Sequence, residues 1–359
     1  MKPTKQLHDL GQSLWLDNIT RGILDDGTLE GYIRELDVTG LTSNPTIFDK
    51  AISGGHDYDE QITELRDQGL EPEPLFFELA LADLRRAADL FKPVHVRTDA
   101  VDGFVSLEVS PKLADDTEAT IKQAAELHAR GERDNLFIKI PGTPAGLPAI
   151  EESVFAGIPI NVTLLFSSEQ HLASADAYMK GIERRIAAGL DPDVRSVASL
   201  FMSRWDVAVA DQVPAELRNR LGIAIGKRAY EAYRELLDSD RVKKLESEGA
   251  RRQRLLWAST GTKDPEAPDT LYIEAFVAPD TINTMPDKTL LAFADHGEVG
   301  EPLPADGGDA EQVLAQFADA GVDVDQLAAR LQVEGADAFV KSWDDLIDSI
   351  SHEAEKLAS

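Results

Sequence analysis

The strongest constraint on the fold is a repeated alternation, along the whole chain, of short apolar runs with longer amphipathic segments. A strand that leads through a helix into the next strand makes the two strands parallel, with the helix as their crossover. Eight such units close naturally into a barrel. The sequence therefore predicts an α/β fold, a (β/α)8 TIM barrel with additional terminal helices. The predicted strands are residues 13–18, 38–43, 103–109, 136–141, 160–166, 196–202, 255–259 and 281–285.

Helical segments are indicated where apolar residues recur at 3.6-residue spacing, as in residues 117–130, 168–188 and 220–237. Residues 272–278 fit a strand or a helix, and we favour a helix, with the eighth strand beginning after Asp280. Residues 95–98 fit a short extra strand or a loop.

The chain is expected to form one barrel domain over residues 1–359, with residues 306–359 as C-terminal helices packed on the barrel. An apolar stripe in the last segment supports this packing, and a dimer contact is the alternative use of the same stripe. The stripe consists of Phe339, Trp343, Leu346, Ile347 and Ile350.

Composition and charge exclude several classes of function. The 359 residues include no cysteine, so disulfides, thiolate nucleophiles and thiolate metal ligands are excluded. Residues 1–15 lack the apolar core of a signal peptide, and no run approaches the length of a membrane span. We therefore expect a cytoplasmic protein.

The formal net charge of −29 argues against binding to nucleic acid or to a membrane surface. An anionic substrate would meet the same field, so a phosphate group would need a local cluster of cations. The surplus acid is interpreted as a solvated surface, with adaptation to high intracellular salt as the alternative.

Polar residues stand at the carboxyl ends of seven predicted strands, which is the end where barrel enzymes carry their chemistry. Core packing does not demand polar residues there, and their repetition over seven strands indicates a shared site. In strand order they are Asp17, Asn44, Glu108, Lys139, Asn161 with Thr163, Ser199 and Ser259.

Lys139 indicates the kind of chemistry. It lies in Asn-Leu-Phe-Ile-Lys-Ile-Pro-Gly-Thr, a stretch that is typical of a buried strand. Burial disfavours the ammonium form of lysine, and a neutral amine is the form that attacks a ketone to make a Schiff base. Asp17 and Glu108 would supply two carboxylates for separate proton transfers. The seven histidines have no metal-ligand spacing, so no metal site is expected.

The peptides around these residues resemble transaldolase, the Schiff-base enzyme of the pentose phosphate pathway, in order from about residue 10 to about residue 300. The form of the seventh strand, Ala-Ser-Thr-Gly-Thr-Lys263, is similar to the branch found in actinobacteria and plants. The other matching pieces are Leu-Trp-Leu-Asp17, Leu-Thr-Ser-Asn44-Pro-Thr, Val-Ser-Leu-Glu108-Val-Ser, Phe-Ile-Lys139-Ile-Pro, Ile-Asn161-Val-Thr163-Leu-Leu-Phe-Ser and Ser199-Leu-Phe201-Met-Ser-Arg204-Trp-Asp.

The resemblance implies a role for each catalytic position. Lys139 would attack the C2 carbonyl of a ketose phosphate. Glu108 would move protons through a water that it holds with Thr163. Asp17 would take the proton of the C4 hydroxyl so that the C3–C4 bond breaks. No cofactor is implied, because the imine nitrogen accepts the electrons. The hydroxyls of the dihydroxyacetone unit that stays bound would be held by Asn44, Asn161 and Ser199.

The implied substrates are sugar phosphates: sedoheptulose 7-phosphate and fructose 6-phosphate as donors, and erythrose 4-phosphate and glyceraldehyde 3-phosphate as acceptors. The family often places an arginine two residues after Ser259, but this chain has Gly261 there. Arg204, Ser259 and Lys263 are therefore the predicted phosphate ligands. Phe201 matches a position that faces the site, where the related fructose 6-phosphate aldolases carry tyrosine.

Simpler structural roles are open for several of these residues. Asp17 could be the N-cap of the next helix, Asn44 only a turn residue, and Arg204 the partner of Asp206 in a salt bridge. Two other functions also remain open: an aldolase that releases free dihydroxyacetone, and an inactive barrel that binds sugar phosphates. The great length of this chain relative to the small aldolases, together with Phe201 and Glu108, favours transfer.

Overall fold

Eight parallel strands form the centre of the protein, as predicted. The computed structural model describes residues 1–358. The strands are β1 (Ser13–Asp17), β2 (Val38–Thr42), β3 (Val105–Glu108), β4 (Leu136–Pro141), β5 (Ile160–Leu165), β6 (Ser196–Phe201), β7 (Arg254–Ala258) and β8 (Ile282–Met285). Each predicted strand is confirmed, with ends that shift by at most two residues.

The strands follow the order β2-β1-β8-β7-β6-β5-β4-β3 around a nearly closed barrel. The seam between β2 and β3 is joined by backbone hydrogen bonds at its start, where Gly103 N–H donates to Thr39 O at 2.9 Å and Leu41 N–H to Phe104 O at 3.0 Å. The (β/α)8 TIM-barrel prediction is confirmed.

Helices connect the strands and cover the outside of the barrel. They are α1 (Pro3–Asp9), α2 (Arg21–Asp25), α3 (Thr28–Glu35), α4 (Pro45–Ser53), α5 (Asp59–Asp67), α6 (Pro72–Arg97), α7 (Thr117–Gly131), α8 (Gly146–Phe155), α9 (Ser168–Ala187), α10 (Ser203–Val209), α11 (Leu221–Asp238), α12 (Asp240–Ser247), α13 (Leu271–Ala275), α14 (Asp287–His296), α15 (Ala310–Asp319) and α16 (Val324–Lys356).

The ambiguous segments have different outcomes. The preference for a helix over residues 272–278 is confirmed for residues 272–275 only, because α13 ends at Ala275. The expectation of a strand or a loop at 95–98 is wrong, because α6 continues to Arg97 with Pro93 inside it. Proline removes one helical hydrogen bond, but the further turn buries Val94 and His95, and this burial offsets the loss.

Two apolar layers hold the barrel. The middle strands are buried on both faces and are mostly apolar. Trp15, Phe104 and Phe137 fill the interior, where the rings of Phe104 and Phe137 stack at 4.1 Å between centroids. Gly40 is required beside them, since a Cβ there would lie 2.6 Å from the Trp15 ring. This packing supports the strand ends above it.

The last helix, α16, crosses the carboxyl end of the barrel. Trp343, Leu346 and Ile350 are buried against the rest of the chain, and Phe76 and Phe77 lie against the Trp343 ring. These three residues belong to the apolar stripe of the sequence, and its other two members, Phe339 and Ile347, are half-buried. None of the helices within residues 1–358 is both long and apolar enough to cross a membrane.

Candidate active site

A cavity of about 340 Å³ opens at the carboxyl ends of the strands. Its volume falls in the range of sites for small ligands. Nine of the eleven predicted site residues line it: Asp17, Asn44, Lys139, Thr163, Ser199, Phe201, Arg204, Ser259 and Lys263. Glu108 lies beside the cavity, and Asn161 lies beneath it. The strand register explains this convergence, because parallel strands place their ends on one face of a barrel.

Lys139 and Glu108 form a buried pair on neighbouring strands. The register of β3 and β4 sets Glu108 directly beside Lys139. The Lys139 ammonium donates to Glu108 Oε1 at 2.5 Å and to Ser43 O at 2.8 Å. Burial raises the pKa of Glu108, and the neighbouring lysine opposes that rise. A carboxylate with a raised pKa is suited to accept a proton from the lysine and to return it later.

Asp17 is held by a short chain of hydroxyls. Thr42 is its register partner on β2 and donates to Asp17 Oδ1 at 2.8 Å. The Thr42 hydroxyl has one proton and donates it to Asp17. In the 2.7 Å contact between the hydroxyls of Thr42 and Thr284, Thr284 is therefore the donor. Burial raises the pKa of Asp17, with Lys139 the largest opposing influence. The N-cap of the next helix is Thr20, so capping does not explain Asp17.

Asn161 lies beneath the cavity and contacts Ser199 on its wall. It is fully buried, in register with Lys139. Its Oδ1 accepts from Ser199 at 2.7 Å, and its amide donates to Ser106 at 3.3 Å. Asn161 therefore orients Ser199, whereas Ser199 itself faces the cavity.

Two cations at the cavity wall, Arg204 and Lys263, form no ion pair, although Lys263 lies near enough to Asp17 to oppose the rise in the pKa of that carboxyl group. Burial lowers the pKa of the Arg204 guanidinium, with no opposing charge, although arginine still stays charged at neutral pH. No ion pair to Arg204 or Lys263 occurs within residues 1–358. Asp206, the proposed salt-bridge partner of Arg204, instead accepts from the Tyr272 hydroxyl at 2.7 Å. Two cations that form no ion pair, in a chain of net charge −29, are well suited to an anionic group.

Comparison with known proteins agrees with this geometry. A family model described as transaldolase/fructose-6-phosphate aldolase matches residues 14–350. The chain belongs to this family.

Curated relatives named transaldolase match along the whole chain. One from Parafrankia is 44% identical, with an alignment that covers 100% of both chains. One from Saccharopolyspora erythraea is 43% identical over 98% of this chain and 97% of its own. A third, from Thermobifida fusca, is 44% identical over 99% of each. The resemblance found in the sequence is confirmed.

Within this transaldolase/fructose-6-phosphate aldolase barrel, Asn44 has two uses. Its side-chain oxygen caps α4 by accepting from Ile47 N–H at 3.1 Å, which leaves the amide group for the cavity. The structural role and the predicted ligand role are thus compatible.

Sequence reasoning missed several residues of the cavity wall. The alternation of side chains along a strand could have identified Thr42 and Thr284. Thr42 lies two residues before Asn44, and Thr284 lies near the end of β8. Phe339 appeared only as part of an apolar stripe, yet it faces Phe201 edge-on at 6.4 Å. Ala338 and Ser342 also line the cavity. No local signal tells which strands a terminal helix will cross.

The acidic side chains do not assemble into a metal site. Within residues 1–358, no group of three or more histidine, aspartate or glutamate side chains is arranged to hold a metal ion.

Proposed function

We propose that the protein is a transaldolase that moves a dihydroxyacetone unit between sugar phosphates through a Schiff base on Lys139. The observation that carries the proposal is the buried Lys139–Glu108 pair, which shares one end of the barrel with Asp17. A nucleophilic amine, a carboxylate that exchanges protons with it and a second carboxylate are the groups that this reaction needs.

Imine formation begins with a proton transfer from the Lys139 ammonium to Glu108. The free amine then attacks C2 of the ketose, and a proton passes from the attacking nitrogen to the C2 oxygen, which becomes a hydroxyl. Protonated Glu108 returns the proton to this hydroxyl through a water held with Thr163, and water leaves. The product is an iminium at C2. The raised pKa of Glu108 supports this role, because the carboxyl group must carry the proton between the two steps.

Cleavage follows when Asp17 takes the proton of the C4 hydroxyl. The C4 oxygen forms a carbonyl, the C3–C4 bond breaks, and its electron pair passes to the iminium to give an enamine. An acceptor aldehyde reverses the sequence: C3 of the enamine attacks the aldehyde carbon, and Asp17 protonates the new alkoxide. Hydrolysis then frees Lys139. The iminium serves as the electron sink, so the proposed chemistry requires no cofactor.

Substrate binding is divided between the two sides of the cavity. We assign the hydroxyls of the dihydroxyacetone unit to Asn44 and Ser199, with Asn161 orienting Ser199 from below. We assign the phosphate to Arg204, Ser259 and Lys263, where the two cations form no ion pair with an acidic side chain. A Cβ on Gly261 would meet only ordinary contacts, so packing does not exclude a side chain at that position. We assign the role of the family arginine to Lys263, which lines the same cavity.

The proposed donors are sedoheptulose 7-phosphate and fructose 6-phosphate, and the acceptors are erythrose 4-phosphate and glyceraldehyde 3-phosphate. We further propose that the enzyme works in the cytoplasm, without nucleic acid or membrane partners. The protein partner we propose is a second copy of the chain.

Borohydride trapping with fructose 6-phosphate, followed by peptide mass spectrometry, tests the assignment. We expect a dihydroxyacetone-derived adduct on Lys139, no adduct and no turnover in Lys139→Ala, and normal behaviour in Lys122→Ala, which changes an exposed lysine. An adduct on another lysine, or unchanged turnover in Lys139→Ala, would refute the mechanism.

Transfer is separated from release by a coupled assay with and without acceptor. We expect glyceraldehyde 3-phosphate to form from fructose 6-phosphate only when erythrose 4-phosphate is present, apart from the single turnover that loads the enzyme. Sustained release of free dihydroxyacetone without acceptor would identify an aldolase instead.

A further inference from the structure

The strand that carries Thr163 bends sharply just beyond that residue. Leu164 has a φ of +57°, in the left-handed region that leucine rarely adopts. The ladder between β5 and β6 shifts register between Val162 and Leu165, so regular pairing is interrupted around Thr163. The direction of the Thr163 side chain therefore depends on whatever holds this bend.

One side chain of α16 holds it. The amide nitrogen of Gln332 donates to Leu164 O at 3.0 Å and to Gly142 O at 3.1 Å. Gly142 N–H in turn donates to Thr163 O at 2.8 Å. A single amide group thus connects the end of β5 to the end of β4, the strand that carries Lys139.

The same helix closes a small compartment beside Lys139. A cavity of about 20 Å³ is bounded by Glu108, Lys139 and Thr163 on one side and by Ala336 and Phe339 of α16 on another. This volume is enough for about one water molecule. In the proposed mechanism, a proton moves through a water molecule among these three polar residues.

We propose that Gln332 is a positioning residue for imine formation. By holding the carbonyl groups of Leu164 and Gly142, it keeps the Thr163 hydroxyl aimed at the compartment shared with Glu108 and Lys139. The inference rests on the proposed function of these three residues. Gln332 does not line the substrate cavity, so it acts through Thr163 and not through contact with substrate.

Replacing Gln332 with methionine removes the donor and keeps the length of the side chain. A displacement of a catalytic group by about 1 Å can lower a rate by roughly a hundredfold. We expect kcat for transfer and the single-turnover rate of borohydride-trappable imine formation to fall together, by about tenfold or more. KM for fructose 6-phosphate should change by less than about twofold, because Arg204 and Lys263 are untouched.

Gln326→Met is the matched control, since Gln326 is an exposed glutamine on the same helix. It should leave kcat, KM and the trapping rate unchanged. Thermal unfolding of both variants establishes that they are compared in the folded state.

Gln332→Glu adds a readout that a purely structural role would not change. At pH 8 the new carboxylate faces two carbonyl oxygens without a proton to donate. As the pH falls it gains one O–H donor, so the ratio of its trapping rate to that of the unmodified protein should rise between pH 8 and pH 5.5. The corresponding ratio for Gln332→Met should stay flat.

Three results would overturn the inference: a folded Gln332→Met with unchanged kcat and trapping rate, a defect confined to KM, or a flat ratio for Gln332→Glu. If Gln332→Met does not fold, the pH response of Gln332→Glu still decides. Failure of the underlying mechanism is distinguishable, because the unmodified protein would then form no adduct on Lys139.

Discussion

Replacing Asp206 with asparagine is expected to raise the free energy of unfolding, relative to the unmodified protein, more at neutral pH than at acidic pH. Phosphate binding should stay unchanged. The Asp206 carboxylate is buried between helices α10, α11 and α13. It accepts hydrogen bonds from the Tyr272 hydroxyl at 2.7 Å, from Leu221 N–H at 2.9 Å and from Gly222 N–H at 3.2 Å. Arg204 is not among its partners. Burial nevertheless raises the pKa of Asp206 to about 6 against the opposing effect of these bonds.

The magnitude follows from linkage between protonation and folding. The pKa of Asp206 rises from 3.8 in the unfolded chain to about 6 in the folded protein. The folded state therefore binds the proton more tightly, and stability is lost as the pH rises from about 4 through about 6. At about 1.4 kcal/mol per pKa unit, the loss totals about 3 kcal/mol, of which about 2 kcal/mol falls between pH 4.5 and pH 7.5.

Asparagine has no such titration. It keeps an oxygen acceptor but gives up at least one backbone hydrogen bond, at a cost of about 1 kcal/mol at either pH. That cost cancels when the two pH values are compared. The difference in unfolding free energy between variant and unmodified protein should therefore be about 2 kcal/mol more favourable to Asp206→Asn at pH 7.5 than at pH 4.5.

Urea unfolding at the two pH values measures this difference, and KM for fructose 6-phosphate is measured in parallel. Asp211→Asn removes the same charge from an exposed position nearby and serves as the control. A variant that is less stable at pH 7.5 and has a KM raised about tenfold would refute the reasoning. That pair of results would mean that Asp206 is the charge partner of Arg204 after all.

Three further expectations concern the site and the chain as a whole. Asp17→Asn should lower kcat by about 10²- to 10⁴-fold but keep borohydride trapping on Lys139, and loss of trapping would contradict the division of roles. Arg204→Met should raise KM for fructose 6-phosphate by about tenfold or more, with a smaller rise for Lys263→Met; equal rises for unphosphorylated fructose would argue against a phosphate contact. The chain should unfold in a single calorimetric transition, because residues 306–359 are proposed to pack on the barrel as part of one domain; a separate early transition for the terminal helices would oppose this.

Much of the barrel was predictable because its signal is local. Each strand is buried on both faces, so it appears as a short apolar run between helices with one apolar face. The parallel order places all carboxyl ends together, and for this reason Asp17, Lys139 and Thr163 could be predicted to share a site. The C-terminal turn of α6 was predicted wrongly, because burial overrode a proline there.

The sequence by itself determined the number and order of the strands and the types of reactive group at their ends. Only the tertiary structure decided which of those groups touch one another: that Glu108 pairs with Lys139, that Asp206 turns away from Arg204, and that Gln332 of α16 reaches the bend after Thr163. The physical reason is the range of the interactions. Periodicity and propensity act over a few residues, whereas Gln332 and Gly142 are 190 positions apart in the chain, and their contact exists only because packing carries α16 across the mouth of the barrel.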